Sequence, residues 1–215
     1  MSFLQEIEHG LQTLSGHGLL PQPAGVLAQQ IEQYLRLIER WNKIYNLTAV
    51  RDLHDMLYQH VLDSLAVLPH LQGPQIIDVG SGAGLPGIPL ALARPDWNVT
   101  LIESNQKKTA FLQQVKIELK LQHVSILSRR CEEVQLNWSP DTIISRAFSE
   151  LGNFVALTAN LAMPGAEKCQ WVAMKAHCTQ KELDQITPPF FIDRVVNLEV
   201  FGLNADRQLI IIKKR

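Results

Sequence analysis

Apolar residues in the first third of the chain recur at helical spacing. Val26, Leu27, Ile31, Tyr34, Leu35, Ile38 and Trp41 make one stripe, which predicts a long amphipathic helix. Gly16–Pro23 holds two glycines and two prolines and reads as the loop before it. A break is expected within Asn42–Asp52. Another helix is expected over Met56–Leu68, with Leu57, Val61, Leu65 and Leu68 inward. Gln72-Gly73-Pro74 then closes a helical extension, residues 1–72, and opens a second unit, 73–215.

Past that boundary short apolar runs alternate with helical patterns. Strands are predicted at Ile76-Ile77, Trp97–Glu103, Val124–Leu127, Thr142–Ser145, Gln170–Met174, Phe190–Phe201 and Gln208–Lys213, the last two joined by Gly202–Arg207. Asn105–Lys120 carries Phe111, Leu112, Val115 and Leu119 on one helical face, and Leu151–Met163 is a helix stopped by Pro164-Gly165. The fold class is therefore α/β: a mostly parallel seven-stranded sheet with helices on both faces and an antiparallel last strand. Such a sheet binds its ligand beyond the carboxyl ends of the strands, where the strand order reverses.

The first strand runs into the stretch IIDVGSGAGLPGIPLAL, Ile76–Leu92. Strand, glycine-rich turn and helix form the βα junction that offers helix-terminal N–H groups to a ligand. Pro86 suits a first helical turn, and Pro89 is tolerated near that end. Gly82, Gly84 and Gly87 satisfy G-x-G-x-x-G, so a dinucleotide enzyme has to be weighed. Asp78 points instead to S-adenosylmethionine. A carboxylate before the glycines suits a cationic amino group and a sulfonium, and repels a pyrophosphate. Pro86 removes one N–H a pyrophosphate would use, and the loop has no Arg or Lys.

Composition narrows the setting. Of 215 residues 46% are hydrophobic, ample for a core. No apolar run reaches the ~18–20 residues that cross a bilayer. MSFLQEIEHG has acids where a secretory signal has a basic start and an apolar stretch, so a cytoplasmic address is expected. Cys131, Cys169 and Cys178 have neither disulfide nor zinc spacing. In that setting the sequons at Asn46 and Asn98 are chance matches. A net charge of −1 argues against a non-specific nucleic-acid binder and leaves room for a local basic face.

Several polar residues fall at strand ends. Glu103 is placed to accept the two ribose hydroxyls of an adenosine; its alternative is an acid favoured by the next helix's dipole. Cys131 and Glu132, after the third strand, would read an adenine edge through a backbone N–H and a carboxylate. An acidic pair opening a solvated helix is the alternative there. The Cys131 thiol itself reads as packing, since no neighbour would activate it. Arg146, in Ser145-Arg146-Ala147-Phe148, offers a planar fork of donors beside the expected methyl. Arg130, Lys107, Lys108 and Lys175 flank the same side. Singly each is surface charge; as a set they suit a polyanion. His60 and Asp63 share a helical face. Two such groups make no metal site, and they read as a hydrogen-bonded pair docking the helical extension on the sheet. Thr187-Pro188-Pro189-Phe190 lacks the acceptor that amino-group methylation needs. No activated cysteine stands at the fourth strand for pyrimidine C5 chemistry. A nucleophile that already presents a lone pair, such as guanine N7, needs neither general base nor covalent help, only alignment.

Trp41-Asn42-Lys43, Asn46-Leu47-Thr48, His60-x-x-Asp63-Ser64, Asp78–Leu92, Arg130-x-Glu132-Glu133, Ser145–Phe148 and Ala173-Met174-Lys175 together resemble the RsmG (GidB) family. The resemblance runs in order over roughly residues 25 to 213, and DVGSGAGLPGIP is its most specific string. It implies a Rossmann-like class I S-adenosylmethionine-dependent methyltransferase that methylates N7 of one guanosine in 16S rRNA. The substrate would be the RNA, the small ribosomal subunit or an assembly intermediate. Cofactor contacts would correspond to Gly80 and Leu85, Cys131 and Glu132, and Arg146, alongside Asp78, Gly82 and Glu103 from the residues themselves. Arg130 and Lys175 would join Arg146 as RNA or catalytic contacts. Ala176 departs from the family's usual Gly, and Glu167–Gln170 is an atypical turn. Two other readings stay open: an NAD-dependent oxidoreductase, and a non-catalytic rRNA or ribosome-assembly protein. No metal is expected, and nothing in the sequence calls for a dimer.

Overall fold

Alternation along the first strand sets the layers. Ile76 packs into a core on one side of the sheet, and Ile77 and Val79 into a separate core on the other. The same split recurs at Leu101 and Ile102, Ile144 and Ile143, Val172 and Trp171, and Ile211 and Ile210. In this computed structural model residues 1–14, 20–146, 148, 150–164 and 168–215 are described. The predicted Gly16–Pro23 loop, the Pro164-Gly165 stop and the Glu167–Gln170 turn fall partly outside those residues.

Seven strands, β1 (Gln75–Val79), β2 (Asn98–Ile102), β3 (Val124–Leu127), β4 (Thr142–Arg146), β5 (Gln170–Lys175), β6 (Phe190–Asn197) and β7 (Gln208–Lys214), form one sheet of order β3-β2-β1-β4-β5-β7-β6. β1 to β5 pair in parallel, and β7 runs antiparallel to both β5 and β6. The strand order reverses at β1, between β2 and β4, so the carboxyl end of β1 is the expected ligand position.

The first core is roofed by helices. α1 (Phe3–Leu14), α2 (Ala24–Tyr45), α3 (Leu53–Met56), a π-helical segment Leu57–Leu62 and α4 (Asp63–Leu65) precede the sheet. α5 (Gly87–Ala93) and α6 (Gln106–Glu118) follow β1 and β2 on the same face. Leu27, Ile31, Tyr34, Leu35 and Ile38 of the α2 stripe are fully buried, and the helix ends where Asn46 turns left-handed at φ 48°. Val26, assigned to that stripe, is instead 48% exposed. α6 starts at the Asn105 cap, whose side chain accepts the N–H groups of Lys107 and Lys108. On the opposite face lie α7 (Leu151–Thr158) and the turn Cys131–Glu133. α8 (Gln180–Leu183) caps itself through Thr179 and Glu182.

Leu57, Val61, Leu65 and Leu68 are buried as expected. Their helix, however, is not regular α-helix, because Leu57–Leu62 takes the wider π geometry. Leu27 and Leu57 from the helical extension share one continuous core with Ile76 and Leu101 of the sheet.

Candidate active site

The glycine loop fills the space between the carboxyl ends of β1 and β2. Gly80 has φ +71°, and a side chain there would meet nothing within 4 Å. Only a residue without Cβ holds that conformation cheaply, and the space it leaves is open. Gly87 serves another purpose. A Cβ on it would lie 2.3 Å from Leu101 Cδ2 and 2.7 Å from Asp78 Oδ2, so it lets α5 sit directly on the strands.

Asp78 belongs to that packing. It is fully buried, its Oδ2 accepts the Gly87 N–H at 2.9 Å, and its Oδ1 has no hydrogen-bond partner. Burial pushes its carboxyl up to about 7, against the pull of the Gly87 and Ser81 hydrogen bonds and of Arg146. Period-two alternation puts Asp78 on the Ile76 side of the sheet, beneath α5, so it braces the loop from below instead of lining the cleft. Leu85 is likewise buried, its N–H bonded to the Ser81 carbonyl. From α2, the buried Tyr34 hydroxyl donates to the Ala83 carbonyl at 2.7 Å and ties the helical extension to the loop.

Glu103 stands at the rim. Its Oε2 accepts the Gly82 N–H at 2.9 Å and its Oε1 the Asn105 N–H at 2.8 Å. Each oxygen retains a second lone pair. Val79, Gly80, Glu103, Ser104, Arg129, Arg130, Cys131 and Glu132 line one 180 Å³ cleft together with Phe148. The Cys131 thiol donates to Glu132 Oε2 at 3.1 Å. Burial and that carboxylate push the thiol up to about 12, which keeps it protonated. Asn160 ties the turn down by donating to the carbonyls of Cys131 and Val134, both at 3.0 Å.

Phe148 also borders a second pocket, of 330 Å³, lined by Gln59, His60, Asp63, Arg146, Met174, Lys175, Ala176 and Arg207. Arg146 Nη1 donates to the Gln59 carbonyl at 3.0 Å and lies 3.5 Å from Asp63 Oδ2. Arg207 Nε donates to Asp63 Oδ1 at 2.8 Å. Lys175 pairs with Glu182, whose carboxyl that ammonium holds below its ordinary range. His60 bonds Thr48 Oγ1 at 2.8 Å through Nε2, while Nδ1 is buried without a partner. Burial, then Arg146, lowers its imidazole to about 4, so it is neutral at pH 7. His60 and Asp63 do share a face, but they bond Thr48 and the two arginines, not each other. Asp63 docks the helical extension on the sheet through Arg146 and Arg207, whereas the His60 bond stays within the extension.

Of the residues singled out from sequence, Gly80, Glu103, Arg130, Cys131 and Glu132 meet in the cleft, and Arg146 and Lys175 in the pocket. Gly82 is bonded to Glu103, while Asp78 and Leu85 lie beneath the loop. Lys108 Nζ comes within 3.9 Å of where a Cβ on Gly82 would stand, so it reaches the rim. Arg207 and Arg129 were not legible beforehand, since each takes its place from a loop, and Glu182 lies in the short helix α8. Among the described residues no cluster of His, Cys, Asp or Glu could hold a metal ion, and no helix is long and apolar enough to cross a membrane.

A carboxylate at the end of β2, an open space beside Gly80 and a polar turn after β3 fit the ribose and adenine of S-adenosylmethionine. The pocket beyond Phe148 presents the cationic side chains of Arg146, Lys175 and Arg207.

The family model described as GidB, rRNA small subunit methyltransferase G, matches residues 27–211. The chain is 45% identical over 213 residues to ribosomal RNA small subunit methyltransferase G of Nitrosomonas eutropha, covering 99% of this chain and 98% of that one. It is 53% identical over 186 residues to the protein of that description from Nitrosospira multiformis, covering 85% and 86%. Among solved structures, the glycopeptide N-methyltransferase MtfA complexed with S-adenosylhomocysteine aligns with a TM-score of 0.57 at 10% identity, covering 73% of this chain and 87% of that one. At that identity the likeness is one of fold.

Proposed function

The chain belongs to the GidB family of S-adenosylmethionine-dependent small-subunit rRNA methyltransferases, and on that premise we propose how its two cavities divide the work on a 16S rRNA guanosine. The observation that carries the reading is that the cleft and the pocket share Phe148. Cofactor and acceptor sites therefore abut.

Bound in the cleft, S-adenosylmethionine supplies an electrophilic methyl on a sulfonium. Glu103 accepts the ribose hydroxyls while it continues to hold Gly82, and Cys131 and Glu132 read the adenine edge. Arg130, at the rim, meets RNA phosphate. In the pocket, Arg146, Lys175 and Arg207 offer donors to the guanine O6 edge and to charge developing on the ring. N7 already has a lone pair, so no side chain removes a proton first. Orientation is the chain's main contribution, and it can supply ~7–11 kcal/mol. Neutral His60 adds no competing charge beside Arg146.

In this reading residues 1–72 wall one side of the acceptor pocket, 73–215 hold the cofactor, and the chain works as a monomer in the cytoplasm. The oxidoreductase alternative rested on glycine spacing alone, and the family assignment removes it. The test is transfer from labelled S-adenosylmethionine to 16S rRNA and to small subunits, followed by mapping of the methyl. Label on guanine N7 supports the reading. Efficient label on another atom or another RNA overturns it, and cofactor binding without transfer supports an assembly role.

A further inference from the structure

Asp63 joins parts of the chain that are far apart in sequence. Its Oδ1 accepts Arg207 Nε at 2.8 Å, and its Oδ2 faces Arg146 Nη1 at 3.5 Å. The carboxylate side chain is 3% exposed, whereas those of Arg146 and Arg207 are 24% and 22% exposed. One charge is therefore almost wholly buried in the pocket wall while both of its partners are more exposed there. Arg146 comes from the end of β4 and Arg207 from the residue before β7, so β5 lies between them. Asp63 itself follows the π-helical segment, whose Gln59 carbonyl holds Arg146 a second time. Arg207 is fixed again through the Asp206 carbonyl, at 2.8 Å from Nη1.

A guanidinium on a flexible stem pays side-chain entropy whenever it is fixed on a substrate. Two guanidiniums anchored on one buried carboxylate have already paid it. They also repel each other less with an anion between them. The third cation of the pocket, Lys175, pairs with Glu182.

We propose that Asp63 is a positioning residue for methyl transfer: it holds Arg146 and Arg207 at a fixed spacing, so that an incoming guanine meets both donors already oriented. The inference rests on the functional reading above. Asp63 touches neither substrate nor cofactor in it; it acts through the two arginines.

The experiment uses the full chain with Asp63→Asn, which keeps shape and removes charge. Calorimetry with S-adenosylhomocysteine checks the cleft, and methyl transfer to small subunits gives kcat and KM. Expected are an affinity for S-adenosylhomocysteine within threefold of wild type, a kcat at least 100-fold lower, and a KM for the RNA substrate changed less than fivefold. Asp63→Glu should restore part of kcat, which a loss of fold would not allow. Asp63→Asn combined with Arg207→Gln should be no more than threefold slower than the slower single variant, because both act through one unit.

A kcat within threefold of wild type in Asp63→Asn overturns the inference alone. If Asp63→Asn fails to bind S-adenosylhomocysteine, Arg207→Gln decides: a 100-fold loss of kcat upholds the inference and an undiminished kcat overturns it. Wild-type chain that transfers no methyl to any rRNA substrate overturns the functional reading and this inference together.

Discussion

Glu103 Oε2 holds the N–H of Gly82 at 2.9 Å, so the residue assigned to the ribose is also the one that fixes the loop beneath it. Glu103→Ala removes both functions. Charge-assisted hydrogen bonds are worth ~1.5–3 kcal/mol, so affinity for S-adenosylhomocysteine should fall about 10- to 150-fold by calorimetry. An unchanged affinity would remove Glu103 from the site.

Gly80 and Gly87 should fail differently. Alanine at 87 meets Leu101 and Asp78 inside van der Waals distance, and overpacking of that kind costs about 1–3 kcal/mol in urea unfolding. Alanine at 80 meets no atom within 4 Å. Its cost is ~1–2 kcal/mol of left-handed strain, plus intrusion into the cleft. Gly80→Ala should therefore lose more ligand affinity per unit of stability lost. The opposite ordering would place the cleft elsewhere.

His60 gives the fold an acid-sensitive component. Its folded value is about 4 against an ordinary 6.5. Below pH 6.5 the unfolded chain takes up a proton that the folded chain refuses, so this contribution to stability falls as pH drops from 6.5 towards 4 and is constant above. The stability difference between wild type and His60→Asn, measured by urea unfolding at a series of pH values, should shrink over that window. A difference independent of pH contradicts the buried neutral imidazole.

Arg146→Lys keeps a positive charge and loses the planar guanidinium, whose Nη1 meets both the Gln59 carbonyl and Asp63 and whose other N–H groups are left for the pocket. Removal of one well-placed donor from a transition state typically costs about 10²–10³ in rate. Transfer should fall by that factor, with affinity for S-adenosylhomocysteine within about threefold. Equal losses in both would move Arg146 from the acceptor pocket into the cofactor cleft.

The sheet was largely legible because its strands are short apolar runs bounded by turn residues. Val124–Leu127 matches the observed strand residue for residue, and the other strands shift by a few positions at their ends. α1 (Phe3–Leu14) was not singled out, although Ser2 and Gln5 cap its start reciprocally, the Gln5 N–H donating to Ser2 Oγ at 3.3 Å and the Ser2 N–H to Gln5 Oε1 at 2.9 Å. The π geometry of Leu57–Leu62 leaves no periodic trace in six residues. Asp78 shows what alternation alone would have revealed: two residues from Ile76, it lies on the same side of the sheet. Arg207 was beyond reach, because its partner Asp63 lies 144 positions away and only the β7 crossover brings them together. The glycine loop is one local stretch, whereas the pocket beyond Phe148 is assembled from four distant segments, and local patterns do not show how such segments meet.

The most direct measurement is a crystal structure with S-adenosylhomocysteine bound. The expected map places the ribose on Glu103, the adenine at Cys131 and Glu132, and the sulfur beside Phe148, facing the pocket that holds Arg146 and Lys175. A sulfur buried away from that pocket, or a nucleoside outside the Gly80 cleft, would contradict the division of labour between the two cavities.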